Sequence, residues 1–110
     1  METNKVLGMI GLAAKAGKIS FGREQVAEGA ARKKISFVIL AKDSSNRTKK
    51  EIQELCLQYH IICLEYGTIE NLSKAIGKEN KAIIGITSKR FSKEIEDKIM
   101  EGGVTNGKNE

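Results

Sequence analysis

Apolar and polar positions along this chain follow two periods, one helical and one extended. Residues 3–16 read as a helix, with Leu7, Ile10 and Ala14 on one stripe, and Gly17 stands where a helix-ending glycine belongs. Residues 19–21 form at most a short strand. A helical period returns over 22–33. There Val26, Ala27, Ala30 and Ala31 share one side of the wheel, and Gln25, Glu28, Gly29 and Arg32 the other. The first set is expected to pack on the core, with Ser20 as the N-cap. The run ISFVILA at 35–41 is almost unbroken and rich in β-branched residues, as a strand buried on both faces would be.

A polar cluster at 42–46 follows, in which Asp43 is expected to cap the next helix. The strongest helical stripe is Thr48, Ile52, Leu55, Cys56 and Tyr59, over 45–59. Residues 61–64 read as a short strand and Gly67-Thr68 as a turn and cap. Ile69, Leu72 and Ile76 mark a short helix closed by Gly77. After the polar loop KENK at 78–81 comes a second buried strand, AIIGI, at 82–86. Ser88 caps a last helix carrying Phe91, Ile95 and Ile99. Residues 101–110 hold three glycines and no period, so they are expected to be a disordered tail behind a domain of residues 1–100. Strands and helices alternate, which predicts one α/β domain with a mainly parallel or mixed sheet covered on both faces.

Charge sharpens this picture. The net charge is +5, and Lys15, Lys18, Arg23, Arg32, Lys33 and Lys34 against Glu24 and Glu28 leave +4 of it within residues 15–34. Cations beside a helix start suit a phosphate backbone, although an ordinary solvated helix face would carry the same charges. Two loops at one edge of a sandwich, around 18–22 and 78–81, could also grip a ligand jointly, although the sequence alone favours a simple solvated turn at Lys78 and Lys81.

Other chemistry finds little support. No apolar run approaches a membrane span, no signal peptide is read at the start, and a cytoplasmic location is expected. Cys56 and Cys63 lack metal or redox spacing and read as free thiols. His60, the one histidine, ends a helix and reads as structural. There is no GxxxxGK[ST], and no GxGxxG opens a helix after a strand. Asp43 and Thr87-Ser88-Lys89 follow buried strands, where α/β proteins place sites, but the acidic pair of a phospho-acceptor is missing. We therefore expect no catalytic residue, no metal and no cofactor.

The order AGKISFG, REQVAEGAARKK, ISFVILAKDSSNRTKKEI, AIGKENKAIIGIT resembles the kink-turn-binding ribosomal proteins of the L7Ae/L30e group, over residues 5–99 and closest to small stand-alone bacterial members. The resemblance implies a three-layer α/β/α sandwich on a mixed, roughly four-stranded sheet. It implies an RNA-binding protein rather than an enzyme, monomeric and ribosome-associated, with rRNA or another kink-turn RNA as partner. In that family a glycine opens the recognition helix, a Thr-Asn-Glu type triplet follows, and a Lys stands one turn on. Gly22 matches the glycine, while Arg23, Glu24 and Gln25 occupy the triplet and Glu28 the Lys position. Glu24 and Glu28 depart from the pattern, because a carboxylate cannot donate to guanine. By the same resemblance Lys15, Lys18, Arg32 and Lys33 would neutralise phosphates, and Lys78, Asn80 and Lys81 would close over the bulge. Two other readings fit the residues: a protein-interaction module on this fold, and the substrate-binding half of an RNA-methylating enzyme.

Overall fold

The computed structural model describes the backbone of residues 4–108 and side chains to residue 101. In chain order the elements are α1 (Lys5–Lys15), β1 (Ile19–Phe21), α2 (Arg23–Ala31), β2 (Phe37–Leu40), α3 (Asn46–Gln58), β3 (Ile62–Glu65), α4 (Ile69–Ala75), β4 (Ile83–Ile86) and α5 (Lys89–Lys108). The four strands lie in the order β1-β4-β2-β3. β4 runs antiparallel to both its neighbours, and β3 lies parallel to β2 on the outer edge. The two inner strands are buried throughout, as their apolar runs predict.

Strand alternation sorts the core into two halves. Phe37, Ile39, Ile84 and Ile86 meet Val6 and Ile10 of α1, Leu72 and Ile76 of α4 and Ile95 of α5. On the other face Val38, Leu40 and Ile83 meet Val26 of α2 and Ile52 and Cys56 of α3. The result is the expected three-layer sandwich on a mixed sheet. Among the described residues no helix is long and apolar enough to cross a membrane.

Several local expectations are corrected. α1 starts at Lys5, capped by Asn4, whose Oδ1 accepts from Leu7 N at 2.9 Å; residue 3 lies outside the described residues. Its buried stripe is Val6, Ile10 and Ala13, one position off Leu7 and Ala14, which are half-buried. Ser20 is not the N-cap of α2 but a residue of β1; Gly22 takes that position with no side-chain cap. Asp43 does not cap α3, where Ser45 Oγ accepts from Thr48 N. Its Oδ1 instead accepts from Ile69 N at 2.8 Å and so caps α4 across the sheet end. α5 continues helically to Lys108 within the stretch expected to be disordered, whose residues 109–110 lie outside the described residues. A helix nucleated by a packed stem adds a hydrogen bond per residue, and glycines at about 1 kcal/mol each weaken it without forbidding it.

Four helices leave through the same turn. Gly17 and Gly77 have φ of 72°, and Lys33 and His60 reach φ of 61° and 58° at equivalent positions of α2 and α3. At each, the following amide donates back into the last turn, as in Lys18 N to Ala13 O and Lys34 N to Gly29 O. A non-glycine residue there carries a strain of roughly 1 kcal/mol or more.

Gly29 was expected to face outward and Ala31 inward, and the reverse holds: Gly29 is buried and Ala31 exposed. The cause is Ile35. A Cβ on Gly29 would stand 2.7 Å from Ile35 Cδ1, and one on Gly85 of β4 would stand 2.8 Å from it. Ile35 is thus wedged between α2 and the sheet, with two glycines making its room. Gly29→Ala gains about 1 kcal/mol of helix propensity but forces the buried Ile35 side chain out of its place against Gly85, at roughly 1–3 kcal/mol. We expect a net loss of stability in urea unfolding. Ile35→Val, which deletes Cδ1, should make Gly29→Ala less harmful, with a coupling of about 0.5–3 kcal/mol. Additive effects of the two substitutions would refute the wedge.

Candidate nucleic-acid interface

Where β1 ends, antiparallel β4 begins, and this pairing builds the site. Gly22 N donates to Ile83 O at 3.0 Å, so the start of α2 sits beside the loop that feeds β4. Gly22 adopts φ 86° and ψ 159°, a region essentially restricted to glycine. That conformation turns the chain sharply from strand into helix. Gln25, one turn in, sends Oε1 back to accept from Phe21 N at 3.2 Å. Its oxygen is thereby engaged, and its NH₂ group makes no hydrogen bond among the described residues.

The loop at 77–82 closes over the other side. The Lys78 and Lys81 ammonium groups lie 5.3 and 5.0 Å from the centroid of the Phe21 ring. Each contact is worth about 0.5–1 kcal/mol at an exposed position. Together they hold two like charges beside one ring, where an incoming anion would relieve their repulsion. Ser73 of α4 anchors the loop: its Oγ accepts from Lys81 N at 2.7 Å and donates to Lys81 O at 3.2 Å. Asn80, exposed, takes a left-handed turn at φ 58° within this loop. A shallow cleft of about 540 Å³ opens between Phe21, Gly22, Arg23, Glu24, Gln25 and Lys81.

Ion pairs divide the charged residues. Arg23 Nη1 lies 3.0 Å from Glu51 Oε1 of α3, without the alignment of a hydrogen bond, so the contact is an ion pair and ties the start of α2 to α3. Glu28 pairs with Arg32 at 3.2 Å along the exposed face of α2. Both pairs are surface contacts of at most about 1 kcal/mol. Glu24 is exposed and makes no ion pair among the described residues; it does not pair with Arg23, Lys15 or Lys18.

The residues expected at the site therefore separate. Gly22, Arg23, Glu24, Gln25, Lys78 and Lys81 come together, with Asn80 in the same loop. Lys15 stands apart, beside Lys74 and Gly77 on the α1–α4 side. Arg32 and Lys33 lie beyond the far end of α2, whose nine residues span roughly 13 Å. Lys18 precedes β1 and belongs to that far end too, since Thr87 N donates to its carbonyl. Phe21, Ser73 and Glu51 were missed: Phe21 lines the cleft itself, while Ser73 holds Lys81 and Glu51 pairs with Arg23 from other elements. Among the described residues no group of His, Cys, Asp and Glu could hold a metal ion. Cys56 and Cys63 are free and lie in the α3 half of the core. A hydrogen bond between them lowers the Cys63 thiol and raises that of Cys56.

This geometry defines a class: α/β/α sandwich proteins whose site is a glycine-opened helix start facing a basic loop. Over residues 4–96 the chain matches the ribosomal protein L7Ae/L30e/S12e/Gadd45 family, and it belongs to that family. The RNA-binding protein YlxQ of Enterococcus faecium is 32% identical over 98 residues, covering 89% of this chain and 93% of that protein. YlxQ of Bacillus subtilis is 25% identical over 87 residues, covering 79% and 87%. A solved protein of unknown function from Bacillus halodurans superposes with a TM-score of 0.85 at 33% identity, over 88% of this chain and 98% of that one. The 15.5 kDa RNA-binding protein of Giardia lamblia superposes at 0.73 with 14% identity, over 92% and 90%, which shows a common fold. The family and these names are those of ribosomal and RNA-binding proteins, not of enzymes.

The backbone at Gly22 yields a direct test. A Cβ there meets nothing within 4 Å, so Gly22→Ala introduces no clash, only a φ that alanine rarely adopts. We expect a loss of roughly 1–3 kcal/mol in urea unfolding, with α2 otherwise intact by circular dichroism. A neutral result would mean the turn can relax without Gly22.

Proposed function

We propose that this chain binds structured RNA at the end of the sandwich where α2 starts, and that its target is a kink-turn or a similarly bent duplex. The observation that carries the reading is the pair of ammonium groups held on the Phe21 ring opposite the free donors of Gln25. Ammonium groups suit phosphates, and a side-chain amide can read a base edge. Family membership and the names of the YlxQ relatives support the same reading. Gly22 lets RNA approach the backbone closely, Lys78 and Lys81 contact the backbone near the bend, and Lys15 with Lys74 extends the positive surface beyond Gly77. The protein acts as a monomer in the cytoplasm, on the ribosome or on another structured RNA.

A second reading has its own observation. Glu24 makes no ion pair among the described residues and lines the cleft, and a carboxylate facing phosphate opposes RNA binding. It favours a protein-interaction module on the same fold. A gel-shift panel of kink-turn, mutated kink-turn and plain duplex separates the two. RNA binding predicts a kink-turn preference and an affinity that falls with salt, by about −0.9 in log–log slope per neutralised phosphate. Affinity indifferent to both would support the protein module.

Two substitutions test the residues in opposite directions. Glu24→Asn adds a donor and removes a charge, so it should tighten the kink-turn by ~1–3 kcal/mol and plain duplex by less. Gln25→Ala should weaken the kink-turn selectively, at one fixed salt concentration. Equal shifts on both RNAs would mean that only bulk charge changed.

A further inference from the structure

The opposite end of the sheet carries a second concentration of cations. There β1 begins, β4 ends and β2 is about to begin. Thr87 N donates to Lys18 O at 2.8 Å and Ser36 N to Ile86 O at 2.9 Å, which draws the three strand ends together. A cleft of about 400 Å³ opens between Lys33, Lys34, Ile35, Ser36, Thr87 and Lys89. No carboxylate lines it. Lys18, Lys33, Lys34 and Lys89 are all exposed, and none makes an ion pair among the described residues. All four arginines of the chain, by contrast, are paired with carboxylates. Lys33 also occupies the left-handed position at which α1 and α4 use glycine. The backbone favours a different residue there, yet a cation stands at the rim of the cleft.

We propose that this lysine-rimmed cleft binds the phosphodiester backbone of a second segment of the same RNA. One RNA is then held at both ends of the sandwich. The inference rests on the RNA reading of the α2 start but concerns a different surface. Ammonium groups are point charges without a planar fork, so they track phosphates and do not read bases. The contact is therefore indifferent to sequence and adds reach and affinity to recognition made elsewhere. An acidic protein is the weaker occupant. Protein interfaces centre on an apolar core, and the exposed large apolar side chains Leu12, Leu57, Ile62 and Met100 are not among the residues lining this cleft, whose own Ile35 is buried.

The test uses two RNAs and two variants. The short RNA is a minimal kink-turn that fills only the α2 end; the long one carries the same kink-turn with a stem extended past both ends. The variant Lys33→Gly/Lys34→Gln/Lys89→Gln should bind the long RNA about tenfold or more weakly, with a log–log salt slope shallower by about 2–3. It should bind the short RNA as the wild type does. Lys33→Gly alone relieves a strained backbone and should raise the thermal midpoint while weakening the long RNA, so lost binding cannot be lost folding. Equal losses on both RNAs would overturn the proposal, since the lysines would then act only through bulk charge. So would no loss on either, which would leave the patch to an acidic protein. Wild-type protein that binds neither RNA would overturn this proposal and the RNA reading together; wild-type binding with no response to the variants overturns this proposal alone.

Discussion

The antiparallel pairing of β4 with both its neighbours decides where every loop of consequence lies. Antiparallel strands place the end of one beside the start of the next. Thus Gly22, leaving β1, meets the 77–82 loop entering β4, and Lys18, entering β1, meets Thr87 leaving it. The same rule on the other side brings Ser36, ahead of β2, to that second meeting point. Had β4 run parallel to β1, Phe21 would not face Lys78 and Lys81.

Packing holds α2 against this frame. Ile35, wedged between Gly29 and Gly85, fixes how closely the helix approaches the sheet. The turn at Gly22 fixes its other end, and the Arg23–Glu51 pair links its first turn to α3. These are contacts of unequal weight. Close packing of a buried side chain against two glycines outweighs a surface ion pair. The placement of α2 therefore rests more on Gly29, Ile35 and Gly85 than on its charged contacts.

Much of the fold was legible in the chain. The inner strands announced themselves as unbroken apolar runs, and the caps at Thr68 and Ser88 stood where the polar clusters put them. Local rules failed where a tertiary partner took over. Asp43 looked like a local cap and serves α4 instead, 26 positions along the chain. Gly29 looked solvent-facing, because a wheel cannot foresee a side chain arriving from the next loop. The +4 window looked like one face, yet the sheet sends its residues to two ends. Of the candidate site, Gly22, Gln25 and the lysines of the loop were named only through the family resemblance. Phe21 was not named: its ring matters only once a loop some 60 residues on lies across it.

The pairing of β1 with β4 also bears on how the molecule folds. β2 and β3 join residues roughly 25 positions apart, while Phe21 and Ile84 lie roughly 60 apart, and loop-closure entropy grows with that separation. We infer that the β2–α3–β3 unit assembles first and that β1 docks late, so the ring that organises the two lysines falls into place among the last events. Pulsed hydrogen exchange would show it as protection of Val38 and Leu40 ahead of Gly22 and Thr87, whose amides donate across the β1–β4 pairing, and simultaneous protection would refute it. A protein built this way would emerge from synthesis with its scaffold formed before its ligand-facing end, holding that end open until the C-terminal third of the chain arrives.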